Sequence, residues 1–354
     1  MQVTKKRILF VDDEPAILAG LKSLLRKERD RWEMVFASGA EAALAELTKQ
    51  PFDVVISDMR MPGMDGAALL ARIKQESPST VRVMMTGHAE SEAILRALPS
   101  THQLLSKPCF AGTLRAVLER CRGLDAGIGD ASILAVVGGL DRLPSPPAMY
   151  VALTDIVADG RASPADVAAI IEDDPAVAAK VLQLANTSYF GEGRAICSIE
   201  RAVSCLGNER IQYMVLATSS FTEVSCEPSG IDIDAIQRDG RESARAVRRL
   251  VTEREAGDIA FAAALLHDVG HIVLGLGMGA AYRRVLARAE TTRQPLHVVE
   301  RELLHLTHAD VGACLLDLWG LPRSIVEAVR YHHDPDAAPA ETRAIAAAVH
   351  AAAR

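Results

Sequence analysis

The stretch Pro51-Phe-Asp-Val-Val-Ile-Ser-Asp-Met-Arg-Met-Pro-Gly-Met-Asp-Gly66 constrains this chain more than any other. Val54-Val55-Ile56 is a short β-branched apolar run, the pattern of a strand buried on both faces. The strand ends at Asp58, and Pro62, Gly63 and Gly66 make the following residues a loop. Ligands of open α/β sheets gather beyond the carboxyl ends of the strands, so a carboxylate there is placed for chemistry rather than packing. Three more strand ends bring polar groups to the same rim. Asp12 and Asp13 follow Ile8–Val11, Thr86 follows Val81–Met85, and Lys107-Pro108 follows Gln103-Leu104-Leu105. Two carboxylates ~5 Å apart repel by roughly 3 kcal/mol at an effective dielectric of ~20, so three of them require a cation. Oxygen ligands, with positions left for water and phosphate, suit Mg²⁺. With the metal in place Asp58 is a nucleophile toward a phosphoryl donor, and Lys107 and the Thr86 hydroxyl hold the oxygens of the resulting aspartyl phosphate.

The motifs Asp12-Asp-Glu14, Asp58-Met-Arg-Met-Pro-Gly-Met-Asp-Gly66, Thr86-Gly-His-Ala89 and Lys107-Pro108 stand in order. On them, residues 5–122 resemble the receiver domain of two-component response regulators. The resemblance implies that Asp58 is the phosphoacceptor and that Asp12 and Asp13 hold Mg²⁺ with it. It makes the Arg60 backbone carbonyl a further metal ligand and Lys107-Pro108 a cis peptide, which only proline makes cheap. It also implies a sensor histidine kinase or phosphotransfer protein as donor. One position departs from the pattern. Three residues before the lysine, receivers often carry a Tyr or Phe that changes rotamer on phosphorylation; this chain has Leu104.

A length of 354 residues favours two or three domains with sizeable cores. The net charge of −7 argues against broad binding to nucleic acid or anionic membranes. Cys109, Cys121, Cys197, Cys205, Cys226 and Cys314 form no C-x-x-C pair and suit a reducing compartment. Before Asp12 there are too few apolar residues for a signal sequence, and no apolar run nears the ~20 residues of a membrane span. The expected location is cytoplasmic.

Strand and helix patterns alternate five times, with helices expected at Ala16–Lys27, Ala40–Lys49, Ala67–Gln75, Ser91–Leu98 and Leu114–Arg122. Alternation with short connections predicts an α/β, doubly wound, parallel five-stranded domain over residues 1–123. Gly123–Asp130 is glycine-rich and aperiodic, a linker over 124–131 or the frayed end of a continuous helix. From 132 to 354 helical periodicity recurs without alternation. Ser163-Pro164, Pro175 and Ser198 are helix starts, and a long apolar helix runs from Asn208 through Phe221. The second domain is therefore all-α.

Within it stand Leu143-Pro-Ser-Pro-Pro147, Asp173-Asp-Pro175, Leu184-Ala-Asn-Thr-Ser188, Ser198-Ile-Glu-Arg-Ala202, Leu206-Gly207, Leu265-Leu-His-Asp-Val-Gly270, His308-Ala309, Trp319-Gly-Leu-Pro322 and His332-His333. The ordered set, over roughly 141–340, resembles the HDOD domain, a signalling relative of the HD metal-dependent phosphohydrolases. His267, Asp268, His308 and His332 or His333 are the candidate remnant of an HD metal site. Each also has a structural reading: His267 bonded to a helix-end carbonyl, Asp268 and His308 as helix caps. The resemblance implies two ligands that are missing here. Arg241-Glu242-Ser243 stands where catalytic relatives have an upstream histidine, and Ala352-Ala353-Arg354 where they have a final aspartate. His271 replaces the usual lysine, and no Gly-Tyr-Pro triplet follows. The expectation is a non-catalytic output without a transition metal, acting through contacts with a downstream signalling protein, with a homodimer as a further option. The alternative is a phosphorylation-gated, metal-dependent phosphohydrolase acting on a nucleotide. Arg238, Arg241, Arg245 and Arg248 form a stripe at helical spacing. It reads as a solvated face paired with carboxylates, and DNA binding is not expected because no recognition helix is present.

Overall fold

A computed structural model describes residues 5–87, 97–127, 131–140, 143–145, 147–158, 162–187, 195–218 and 229–354. The expected helix Ser91–Leu98 lies almost wholly outside them, as does the end of the helix expected to reach Phe221. The chain divides into two compact units near residue 141.

The first unit is a five-stranded parallel sheet in the order β2-β1-β3-β4-β5. Its strands are β1 (Lys6–Val11), β2 (Trp32–Ala37), β3 (Val54–Asp58), β4 (Val81–Thr86) and β5 (Gln103–Ser106). The connecting helices are α1 (Pro15–Leu24), α2 (Ala40–Lys49) and α3 (Gly66–Glu76), followed after β5 by α4 (Ala111–Gly127) and α5 (Ala131–Gly139). Every residue of β3 and β4 is buried, which is why these strands are continuous rather than alternating apolar runs. Register sets the rim: Asp58 lies opposite Met85, and Thr86 opposite Ser106. Gly66 opens α3 against the end of β3, where a Cβ would stand 2.0 Å from the Asp58 carbonyl oxygen. No other residue allows that close approach.

The linker reading needs correction. Residues 124–127 are the last turn of α4, and α5 belongs to the first unit, not the second. The reason is a buried arginine. Arg82, on β4, gives its guanidinium to the carbonyls of Ser100 (2.8 Å), Pro78 (3.2 Å), Thr80 (2.8 Å) and, from the end of α5, Gly138 (2.5 Å). His102 Nδ1 accepts from the Arg82 amide at 3.0 Å, and its Nε2 lies 3.0 Å from the Gly138 carbonyl and 2.9 Å from the Arg82 guanidinium. The C-terminal carbonyls of a helix need partners, and here the sheet supplies them. Arg82→Leu removes the cation and strands several buried carbonyls at about 1–3 kcal/mol each. The expected loss is about 3 kcal/mol in the first unit, with faster amide exchange across 131–139. Unchanged exchange there would show that the arginine does not hold α5.

Among its described residues the second unit is built of helices and short connections, with no strand. Its helices are α6 (Pro147–Ala158), α7 (Pro164–Ile171), α8 (Pro175–Ala185), α9 (Ile199–Leu206), α10 (Asn208–Thr218), α11 (Ile233–Leu250), α12 (Arg254–Leu266), α13 (Val269–Met278), α14 (Ala280–Thr292), α15 (Leu296–Leu304), α16 (His308–Leu318), α17 (Arg323–Arg330) and α18 (Arg343–Ala352). The expected starts are seen. Ser163 and Asp166 form a reciprocal capping box, Asp174 caps α8, and Ser198 caps α9. Helix α8 is buried along its whole length and is the axis of this core. One expectation about membranes has an exception: the run Arg254–Met278 is long and apolar enough to cross a bilayer. It is mostly buried inside the protein, with a break at His267-Asp268, which is the behaviour of core helices.

Candidate functional sites

The rim of the parallel sheet assembles as the strand ends dictate. Asp12, fully buried, accepts the Glu14 amide at 2.9 Å and the Lys107 ammonium at 2.8 Å. Lys107 also contacts Asp58 directly, and the Arg60 amide donates to the other Asp58 oxygen at 3.0 Å. Thr86 is buried at the neighbouring strand end, and Asp13 is half-buried beside Asp12. The Lys107-Pro108 peptide is cis. Burial pushes the Asp58 carboxyl above its ordinary range even though Lys107 works against that shift. Burial also opposes charge on Lys107, but hydrogen bonds to Asp12 and Asp58 carry its pKa upward. Three carboxylates against one ammonium leave two negative charges uncompensated, the charge of one divalent ion. The donors are all oxygens, so the residues fit Mg²⁺.

The second cluster is denser than the sequence suggests. Helices α13 and α16 touch backbone to backbone where Gly270 meets His308 and Gly312. That contact sets Asp268 and His271 against His308, while α12 and α17 bring His267 and His332. His267 Nε2 lies 3.2 Å from one Asp268 oxygen; His308, His271 and His332 Nε2 lie 3.4, 3.8 and 3.9 Å from the other. All four sequence-predicted residues meet. So does His333, whose Nε2 is 2.9 Å from that of His308, and His297 stacks on His333. Glu300, fully buried on α15, accepts from the His308 amide (2.9 Å), His308 Nδ1 (2.7 Å) and the Tyr282 hydroxyl (2.5 Å). His271 Nδ1 in turn lies 2.6 Å from the Tyr282 oxygen.

The charges follow from this packing. Burial opposes a charged His308, yet Glu300 and Asp268 carry its pKa up to about 10. Burial would raise the Asp268 carboxyl, but His267 and His308 hold it well below the usual range. Burial pushes His332 well below its ordinary value and, with the neighbouring His308 charge, takes His333 down to about 3.

Of the structural roles read from sequence, His267 does bond a helix-end carbonyl, that of Ala264 at 2.8 Å. Asp268 precedes α13 without a capping hydrogen bond, and Thr307 rather than His308 caps α16. Glu242 is exposed on α11, so it does not stand in for the missing upstream histidine. Glu300 and Tyr282 were missed by sequence reading. The available signal was Glu300 itself, a carboxylate beside Val299 and four residues after Leu296 on the apolar side of a helix. The arginine stripe is largely paired: Arg245 to Asp173 at 2.8 Å, Arg248 to Glu172 at 2.7 Å, and Arg241 to the Asp173 carbonyl at 3.1 Å.

A phosphoacceptor-type rim on a five-stranded parallel sheet, followed by an HD-type histidine cluster in a helical domain, defines a response regulator with an HD-related output. The chain belongs to the HDOD family: the model of the HDOD domain matches residues 143–335, and that of the response regulator receiver domain matches 8–119. Among curated proteins, the DNA-binding transcriptional regulator NtrC of Klebsiella pneumoniae is 50% identical over 86 residues, 24% of this chain and 18% of that protein. The chain spans less than half the length of the curated relatives it matches. A virulence factor from Campylobacter jejuni superposes with a TM-score of 0.54 at 23% identity, covering 62% of this chain and 80% of that one. The MmoQ response regulator from Methylococcus capsulatus str. Bath gives 0.50 at 24% identity, covering 60% and 84%. At these identities the likeness is one of fold.

Proposed function

We propose that this protein is the phosphorylation-controlled element of a phosphorelay, in which Mg²⁺-dependent phosphorylation of Asp58 governs a signalling output of the helical domain. The observation that carries the reading is Lys107 bridging Asp12 and Asp58 at the strand ends. A sensor histidine kinase or phosphotransfer protein supplies the phosphoryl group, Asp12 and Asp13 hold the metal with Asp58 and the Arg60 carbonyl, and Thr86 and Lys107 receive the new oxygens. The setting is cytoplasmic, and the output works through contact with a downstream signalling protein.

Phosphorylation adds about two negative charges at the rim, which draw Thr86 and Lys107 inward and move the loops that carry them. Leu104 is buried on β5 and has no hydroxyl to re-pair, so the shift is transmitted sterically. Hydrogen exchange with and without beryllofluoride is expected to change over residues 97–110 and in the helical unit, more weakly than in receivers with a tyrosine at this position. Identical exchange in both states would defeat the regulatory reading.

A further inference from the structure

Away from both clusters, the outermost strand of the parallel sheet carries a pocket. Strand β2 pairs with β1 on one side and, among the described residues, with no strand on the other. Trp32, Met34 and Phe36 alternate onto one of its faces. Phe36 stacks on Phe10 of β1, with ring centroids 5.1 Å apart and planes 12° from parallel. Phe10 is fully buried, whereas Met34 and Phe36 are only half-buried. An edge position leaves the second face of the Phe36 ring without a strand neighbour. These three side chains and three cations, Lys5, Lys22 and Arg29, line a pocket of about 520 Å³, in the size range of small-molecule sites.

The cations set this pocket apart. Glu33, the carboxylate in its lining, pairs with Arg7 at 3.2 Å, and nearby Glu28 pairs with Arg115 at 3.1 Å. Lys5, Lys22 and Arg29 have no carboxylate partner among the described residues. Lys5 is fixed instead by the Arg29 carbonyl at 2.9 Å, and the Lys22 ammonium stands 6.0 Å from the centre of the Phe36 ring. Three unpaired positive charges on a chain of net charge −7 are a local feature, not the character of the whole surface. Cations on a sheet edge also repel a second copy of the same edge. What complements the pocket is an anion with a flat apolar part. Spacing narrows the choice. Lys5 and Arg29 stand just before β1 and β2, while Phe36 lies four residues beyond Trp32, ~13 Å along the strand. Inorganic phosphate reaches one end of such a pocket. A nucleoside polyphosphate, with its base and its phosphates at opposite ends, reaches both.

We propose that this pocket binds a nucleoside polyphosphate, its base on the open face of Phe36 beside Lys22 and its phosphates between Lys5 and Arg29. Stacking on an aromatic ring tolerates any base, so the ligand is a class rather than one nucleotide. The contacts named require no metal, and none of them comes from the strand ends that carry Asp58. The inference goes beyond the phosphorylation reading and does not depend on it.

The test titrates the full chain with ATP, GTP and pyrophosphate by calorimetry. Chelator is present throughout, so that neither the rim nor the histidine cluster holds a ligand through a metal. One nucleotide site is expected, with a dissociation constant below about 1 mM that weakens as salt is added. ATP should bind at least about tenfold more tightly than pyrophosphate, the share that stacking supplies. Lys22→Glu and Arg29→Glu, both at exposed positions, should each weaken ATP at least about tenfold. Arg284→Glu, exposed on α14, should leave binding unchanged. Phe36→Leu should bring ATP down to the affinity of pyrophosphate; if that variant does not fold by circular dichroism, the ATP-to-pyrophosphate ratio of the parent chain decides the same point. No heat at several times the expected dissociation constant, or full binding in Lys22→Glu and Arg29→Glu, would overturn the proposal. Equal affinity for ATP, pyrophosphate and an oligoglutamate peptide would overturn it too, since it marks an unselective cationic surface.

Discussion

Asp58→Asn is expected to lower covalent phosphate incorporation from acetyl phosphate by about 100-fold or more, to background, because the amide has no anionic oxygen with which to attack. The substitution is nearly isosteric. The amide oxygen can still accept from Arg60 and Lys107, so the rim keeps its shape and loses only the nucleophile. Other acidic groups do not replace it. Asp12 is fully buried and already occupied by Lys107 and the Glu14 amide. Lys107→Ala leaves the nucleophile but removes the ammonium that neutralises the developing charge, a loss of about 10²–10³-fold by analogy with other preorganised donors. Chelation should match Asp58→Asn, since without a divalent ion three carboxylates face an anionic donor. Acid-labile phosphate that persists in Asp58→Asn, or forms undiminished in chelator, would remove Asp58 from its role. The readout, intact mass with hydroxylamine lability, is independent of anything the helical domain does.

Legibility followed the range of the physics. In the first unit local pattern and final environment agree. Val54–Ile56 is apolar because both its faces are covered, and Asp58 is anomalous in the sequence for the reason that makes it useful in the structure. The boundary after this unit was not legible, because it depends on Arg82, some fifty residues earlier in the chain. No local feature of Ala131–Gly139 announces that Gly138 will find a guanidinium. The helical domain shows the same division. Ser163, Asp174 and Ser198 mark helix starts through contacts within one turn, whereas the histidine centre is built from α12, α13, α15, α16 and α17. Sequence gave its inner members through His267-Asp268 and His332-His333. It did not give Glu300, whose partners lie on α14 and α16, and the capping role it offered as the alternative for His308 belongs to the neighbouring Thr307. Apolar content alone does not mark a span at Arg254–Met278, where two successive core helices are long and apolar enough to cross a bilayer yet mostly buried.

The second large effect is expected from a single methyl group. Gly270→Ala places a Cβ 1.9 Å from the His308 carbonyl oxygen and 2.8 Å from the Gly312 nitrogen. Both are backbone atoms of α16, so no side-chain rotamer relieves the overlap; α13 and α16 must separate. Overpacking of this kind typically costs about 1–3 kcal/mol where side chains can give way, and a rigid backbone contact puts the expected loss at the top of that range or above. The displacement also moves Asp268 and His271 away from His308, so the histidine centre opens with it. Gly20, on the exposed side of α1 with no atom within 4 Å of its Cβ position, is the contrasting case. There Gly20→Ala should stabilise the first unit by about 0.5–1 kcal/mol through helix propensity and a less entropic unfolded chain. The two tryptophans separate these outcomes, since Trp32 is buried in the first unit and Trp319 in the second. In urea, with Trp32→Phe or Trp319→Phe isolating each signal, Gly270→Ala should shift the Trp319 transition to much lower denaturant and leave that of Trp32 in place. Gly20→Ala should move only Trp32, and upward. A Trp319 midpoint unchanged by Gly270→Ala would mean that α13 and α16 do not meet backbone to backbone, and the arrangement of the histidine centre would have to be rebuilt.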